Sequence, residues 1–235
     1  MYGKRNLNLK RKGKKRSKKL ATKQYVKAMI SRRIEDKHFH YRSNGALATS
    51  PTPVYVCLTG VDQYDPSVGG TDYADNLRIG SEFNPKRLSL NMLLLRNFSS
   101  QYNIVRYMIV RTKFPTVPTG GTAGEDSPML AEILNFNVQG LTEDAAYSLV
   151  ANRNTEYNNK YDVVYDSKAL CLPNTTDVIK RNHVCYKGKG LMQSMKITDD
   201  PTLSATNHLW FIAFSYDNTN RASFRLQSEL IFEDA

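Results

Sequence analysis

The residues able to do chemistry fall into four sets. The densest is KRNLNLKRKGKKRSKK, residues 4–19, in which ten of sixteen positions are Lys or Arg and none is acidic. The second is Asp62, Asp65, Asp72 and Asp75, gathered in one loop with Gly69 and Gly70. The third is Cys171 with His183-x-Cys185, and the fourth is His38 with His40.

Each set implies a different chemistry. Clustered cations neutralise phosphates and release condensed counterions with little regard to sequence. Clustered carboxylates suit a hard cation such as Ca²⁺, but the aspartate spacing is not that of an EF-hand, so a solvated loop is expected, with a structural Ca²⁺ as the alternative. Asp199 and Asp200, before Pro201, read the same way. Cys171, His183 and Cys185 match no standard zinc spacing and lack a fourth ligand, so buried structural cysteine is expected. His38 and His40 would share one face of a strand. No G-x-S-x-G, H-E-x-x-H or Gly-rich phosphate loop occurs, so neither a catalytic residue nor a metal ligand is assigned and no cofactor is expected.

The cationic block is set apart from the rest of the chain. The protein has 235 residues, with 33 Lys and Arg against 22 Asp and Glu. Eleven of the cations lie in residues 1–23, which hold no acid: Lys4, Arg5, Lys10, Arg11, Lys12, Lys14, Lys15, Arg16, Lys18, Lys19 and Lys23. The remaining 22 cations balance the 22 acids, so the arm carries the whole excess of +11. So dense a like-charge block cannot build a core and is expected to be disordered until a polyanion neutralises it. These eleven residues are the expected nucleic-acid-binding set. Only Tyr2 and Tyr25 offer rings nearby, so base recognition by stacking is not expected. KRKGKKRSKK also fits a nuclear localisation signal or a solubilising tail.

Residues 20–33, LATKQYVKAMISRR, have apolar positions that a short helix would gather on one face, with lysines opposite. From residue 34 the pattern changes to short β-rich runs between turn-rich loops. The runs are Pro53–Thr59, Ser89–Leu95, Ile104–Thr112, Tyr161–Tyr165, His183–Tyr186, Gly190–Ile197, His208–Tyr216 and Ser223–Phe232. Short helices are expected only at Leu130–Leu134 and Glu143–Val150. Asp217–Asn220 reads as a hairpin turn joining the last two runs, with Phe224, Leu226 and Leu230 core-facing. Arg106 and Arg111 have odd separation and would face opposite ways, one toward the shell interior and nucleic acid, with a surface or interface ion pair as the alternative. Trp210 reads as core. Many strands and little helix imply an all-β sandwich or barrel. The organisation expected is an arm over residues 1–33 and a body over 34–235.

Three cysteines without framework spacing fit a reducing compartment. No apolar run follows the basic start, as a signal peptide would require, and none is long enough to span a bilayer. The sequons at Asn97 and Asn174 are then chance matches.

Five stretches carry a resemblance: KQYVKAMISRRIEDKHF (23–39), NLRIGSEFNPKRLSLNMLL (76–94), YNIVRYMIVRTKFPTVP (102–118), NRNTEYNNKYDVVYDSKALCL (152–172) and NHLWFIAFSYDNTNRASFRLQSELIFED (207–234). In this order, behind the basic arm, they resemble the single jelly-roll capsid proteins of circular Rep-encoding single-stranded DNA (CRESS-DNA) viruses, which are similar to the satellite tobacco necrosis virus coat protein. The resemblance implies an eight-stranded antiparallel jelly-roll β-sandwich. It implies self-assembly of about 60 copies into an icosahedral shell, with the arm turned inward to a single-stranded genome. It also implies a virion location, passage through the host nucleus and contact with a nuclear import receptor. About sixty arms would supply roughly 660 positive charges, a useful fraction of a genome on the order of a thousand nucleotides. The alternatives are a cellular nucleic-acid- or carbohydrate-binding β-sandwich with a nuclear signal, and, third, a jelly-roll oxygenase, which would want two His and a carboxylate facing inward.

Overall fold

The computed structural model describes residues 22, 36–47, 53–60, 82–95, 102–116, 128–135, 145–171, 179–186, 195–196, 206–217 and 221–234. The chain divides into the units Met1–Asp36 and Lys37–Ala235. The eleven arm cations, the aspartate loop, and Asp199 and Asp200 lie outside the described residues. Within 20–33 only Thr22 is described, in helical conformation.

Among the described residues of the second unit, nine strands run in chain order: β1 Lys37–Ala46, β2 Val54–Cys57, β3 Glu82–Leu95, β4 Asn103–Thr112, β5 Tyr161–Cys171, β6 Ile179–Tyr186, β7 Met195–Lys196, β8 Leu209–Ser215 and β9 Ser223–Asp234. Two short helices, α1 Leu130–Ile133 and α2 Ala145–Val150, separate β4 from β5. One sheet has the order β1-β9-β3-β6, with the two-residue β7 also on β3; the other has the order β2-β8-β4-β5. Every pairing is antiparallel. Leaving β7 aside, eight strands divide equally between two sheets, and the chain changes sheet at every connection except β4–β5. This is the jelly-roll β-sandwich.

Apolar alternation fixes which face of each strand is inside. On β9, Phe224, Leu226, Leu230 and Phe232 are buried, while Arg225 and Gln227 between them are exposed. On β3, Leu88, Leu90, Met92 and Leu94 do the same. A one-residue slip would turn either set out to solvent, so the pattern pins the register. These side chains meet Val105, Tyr107, Ile109 and Phe211 from the facing sheet. Phe211 and Phe224 touch across the gap with ring centroids 5.7 Å apart, and Phe83 meets Phe232 edge-on at 5.3 Å. Aromatic pairs favour such offset and edge geometries. Pro85 lacks the N–H that a regular ladder uses, and the register with β9 shifts between Pro85 and Arg87, the bulge a strand proline requires.

The two sheets differ in how many faces they bury. All seven residues of β8 are buried, and nine of the ten in β4. Their second face carries another core, in which Met108, Val110, Trp210, Ile212 and Phe214 pack under Leu130, Ile133, Leu134 and Leu149 from the β4–β5 connection. This is why LWFIAFS is apolar without alternation: a strand covered on both sides has no polar side to show. Trp210 is in the core, as expected, but in this outer layer, where its Nε1 donates to Thr116 Oγ1 at 3.3 Å. In the first sheet β1, β9 and β3 beyond its bulge alternate, and their outward positions leave one face open.

The hairpin expected at Asp217–Asn220 is corrected. Strands β8 and β9 belong to opposite sheets, β8 pairing with β2 and β4, and β9 with β1 and β3. Both have apolar sides that meet face to face in the sandwich, which side-by-side pairing could not achieve. The connection is a crossover between layers; residues 218–220 lie outside the described set. Strand β1 is longer than the two histidines suggested, because an exposed edge strand has few apolar residues to announce it. The expected short helices appear at both places, four described residues in the first and six in the second, with residues 143 and 144 outside the described set. No described helix is long and apolar enough to cross a membrane.

Candidate nucleic-acid interface

Neither Arg106 nor Arg111 is available to a ligand as a free cation. They do lie on opposite faces of β4: Arg106 has the parity of Met108 and Val110, Arg111 that of Tyr107 and Ile109. Arg106 is 3% exposed. Its Nε and Nη2 donate to the two carboxylate oxygens of Asp166 at 3.0 and 2.8 Å. Its Nη1 donates to the carbonyls of Ser148, Leu149 and Ala151 at 2.8, 3.3 and 2.9 Å. Those carbonyls close the C-terminal end of α2, where helical carbonyls lack partners. Arg106 therefore ties α2 to the sheet beneath it. Arg111 is buried against Asp162, which Lys113 also holds at 2.8 Å. Burial raises the Asp162 carboxyl, but Lys113 and Arg111 outweigh it and hold the group below the ordinary carboxylate range. The ion pair expected as the alternative to nucleic-acid contact is present for both, but buried within the chain rather than at a surface or interface.

The two described thiols are buried. Cys57 lies beside His208, Sγ to Nδ1 3.5 Å, and Thr59 Oγ1 sits 3.0 Å from the same nitrogen. A Cys–His contact is the start of a nucleophilic dyad only if the thiol ionises. Burial instead pushes the Cys57 thiol up to about 12. Cys171 is in the sandwich core, its thiol also raised by burial. His183 packs against Tyr165 with ring centroids 4.4 Å apart, and burial lowers its basicity. The side chain of Cys185 lies outside the described set. Glu132 accepts from Lys160 Nζ at 2.7 Å and from Tyr161 Oη at 2.6 Å, fastening α1 to β5.

The open face of the first sheet is different. Its outward side chains fall in rows across the strands. One row reads Arg42, Gln227, Asn91, Asn182 on β1, β9, β3 and β6; in the next, Asn44 pairs with Arg225. Arg42, Asn44, Asn91, Asn182, Arg225 and Gln227 are all exposed and line a groove of about 610 Å³. Its described lining holds no carboxylate. Farther along the same face, Glu229 is met by His38 Nδ1 at 3.1 Å, and Glu233 is paired with Lys86. His38 and His40 do share a face, their rings stacked at 6.4 Å. With Glu229 they bring three ligating atoms within 4.8 Å of one another, a set that could hold one cation; among the described residues it is the one such group of His, Cys, Asp or Glu. Sequence reasoning missed the groove. Its signal was present in the polar positions of SLNMLLL and SFRLQSEL, which alternate with core leucines.

No protein-family profile matches the chain, and no curated protein matches it. Solved structures overlay on it at low scores. A structure described as Desmodium yellow mottle tymovirus covers 86% of this chain and 88% of its own, at 8% identity and a TM-score of 0.40. The BFDV capsid protein as a 60-mer covers 86% and 93%, at 8% identity and a TM-score of 0.30. The same capsid protein as a decamer covers 86% and 98%, at 8% identity and 0.30. The jelly-roll assignment rests on this chain's own strand order.

Proposed function

We propose that this chain is a viral capsid protein that assembles into a small closed shell and packages a single-stranded genome. One observation carries the reading. A jelly-roll body with no excess of positive charge is preceded by a segment, residues 1–23, that holds eleven cations and no acid. A sandwich closed on one side by a second core and open on the other is a tile: it can bury apolar and polar edges against copies of itself. A cationic arm on each tile then concentrates charge where a confined polyanion needs it.

In this reading the function is structural, without catalysis. Shell formation draws on contacts between bodies, supplemented by arm–genome attraction that weakens with salt. About sixty copies form the simplest closed icosahedral arrangement. The virion is the site of action, with assembly in the host nucleus after recognition of KRKGKKRSKK by an import receptor. Circular single-stranded DNA is the genome type favoured by the sequence resemblance.

The test is to express the protein, treat the lysate with nuclease, and measure particle mass by light scattering with the 260/280 absorbance ratio. A mass on the order of a megadalton with a high ratio surviving nuclease is the expected result. A salt-stable monomer or dimer would refute the shell and favour a cellular binding module.

A further inference from the structure

The geometry points to a second nucleic-acid contact on the body itself: the groove on the open face of the first sheet, where Arg42 and Arg225 take phosphates and the surrounding amides take sugar and base edges of a single strand. This rests on the encapsidation reading and adds to it a site that the arm does not supply.

The residue choice is the first argument. Asparagine is disfavoured in strands, where Thr, Val and aromatics fit the pleat better. Yet Asn44, Asn91 and Asn182 occupy three different strands and converge on one patch with Gln227. They are exposed, so they satisfy no buried group. Rules of local propensity are broken without structural return mainly at functional positions. An amide offers two donors and an acceptor, which suits phosphate, sugar and base edges alike.

Charge is the second argument. Arg42 and Arg225 lie on the adjacent strands β1 and β9 at diagonal register, since Arg42 pairs with Gln227 and Arg225 with Asn44. Diagonal neighbours are about 7–8 Å apart, comparable to successive phosphates along an extended strand. Neither arginine has an acidic partner among the described residues. The contrast with Arg106 and Arg111, both buried on carboxylates, is direct. Guanidinium forks held open to solvent match phosphate geometry.

Shape is the third. Four strands span roughly 14 Å at about 4.8 Å each, wide enough for one extended chain of nucleotides lying across the rows. The groove's described side chains include no aromatic ring, so recognition is by hydrogen bonds and charge, with weak sequence preference. One of this sheet's two edge strands, β1, is the first strand after the basic arm in the sequence.

The test uses the full-length protein and a fluorescent oligothymidylate carrying photoreactive 5-iodouracil. Anisotropy is read against salt, and crosslinked peptides are mapped by mass spectrometry. Crosslinks in residues 37–46 and 223–234, besides those in the arm, are expected. The Arg42→Gln/Arg225→Gln double variant should lose the body crosslinks, keep the arm crosslinks, and lower the slope of log K against log salt by about 1.4, at about 0.7 per phosphate contact on a single strand. An unchanged circular dichroism melt is expected, since both residues are exposed, and shows that the variant is folded. Crosslinks confined to the arm, with an unchanged slope, overturn the groove and leave the encapsidation reading standing. Absence of crosslinks from arm and body alike overturns both. Loss of particle mass in the variant with crosslinks unchanged assigns this face to contacts between copies and overturns the proposal. A duplex that competes equally for the body crosslinks overturns the single-strand assignment.

Discussion

Arg106 and Asp166 form a two-pronged pair, Nε to Oδ1 at 3.0 Å and Nη2 to Oδ2 at 2.8 Å, on the covered face of β4 and β5. The remaining guanidinium nitrogen is spent on three carbonyls at the end of α2. Burying a charge so far from water is costly unless its donors are used, and all three guanidinium nitrogens of Arg106 have acceptors. The pair thus works as a clasp between a sheet and the connection laid over it.

Removing one half of the clasp should be costly. Arg106→Met leaves three carbonyls without their donor and Asp166 with only the longer contact to Arg153, 3.9 Å away, and breaking a buried pair in this way costs about 3–5 kcal/mol. Urea unfolding followed by circular dichroism measures it. The same variant should keep its affinity for nucleic acid, because Arg106 does not reach solvent. A loss of affinity at unchanged stability would reverse this assignment.

Acid should loosen the body in two stages. His183 has its basicity lowered by burial, so the unfolded chain binds a proton that the folded chain refuses. That stability is present above about 6.5, the ordinary histidine value, and is lost as pH falls below it. Asp162 is burdened by burial yet held low by Lys113 and Arg111. Its contribution is present above the ordinary aspartate range, near 3.9, and is lost as pH falls below it. Urea midpoints at pH 8, 6 and 5 should therefore decline, and His183→Gln should flatten that decline. A midpoint that rises on acidification would contradict the histidine assignment.

The strands that bury one face were legible because alternation names both the strand and its inner side. In SFRLQSELIF the alternation alone marks Phe224, Leu226 and Leu230 as inward, and all three are buried. Strand partnership was not legible. HLWFIAFSY and SFRLQSELIF look like neighbours in sequence, but the jelly roll separates them, because it pairs strands far apart in the chain and sets these sequential runs facing each other across the core. Arg106 and Arg111 were legible as a pair facing opposite ways; their partners, Asp166 and Asp162, were not, since an aspartate on a strand carries no mark of what lies opposite. The groove needed the register of four strands at once: Arg42, Asn91, Asn182 and Gln227 are scattered along most of the chain and become one row only through three pairings.

The second core should matter as much as the first. Trp210 is fully buried among Met108, Val110 and the residues of the β4–β5 connection. Trp210→Ala leaves a large cavity and should cost about 3–5 kcal/mol. Thermal melts by circular dichroism read the loss. A cost below about 0.5 kcal/mol, the level of ordinary surface changes, would mean that the connection does not pack on the sheet.

Thiol reactivity separates a structural cysteine from a nucleophile. Cys57 sits against His208, an arrangement that elsewhere activates sulfur, but its thiol is pushed up to about 12 by burial. At pH 8 essentially all of it is protonated, and the thiolate is the reactive species. Iodoacetamide applied to the folded protein should leave Cys57 and Cys171 unmodified, while the urea-unfolded chain is modified at both, with mass spectrometry resolving each site. Rapid labelling of Cys57 in the folded state would show an ionised, accessible thiol and reopen an enzymatic reading.

The division of labour between arm and body is tested by deletion. Among the described residues, the first side chain packed on the core is Phe39, well beyond the cationic block. A chain without residues 1–23 should therefore fold and melt as the full chain does. It should still form particles, because the contacts between copies belong to the body, but their 260/280 ratio should fall toward that of pure protein. Assembly should also become less sensitive to salt, since eleven phosphate-seeking cations per copy are gone. Particles that keep their nucleic acid without the arm would shift the packaging role to the body, and so to the groove at Arg42 and Arg225. Failure to fold at all would refute the division itself.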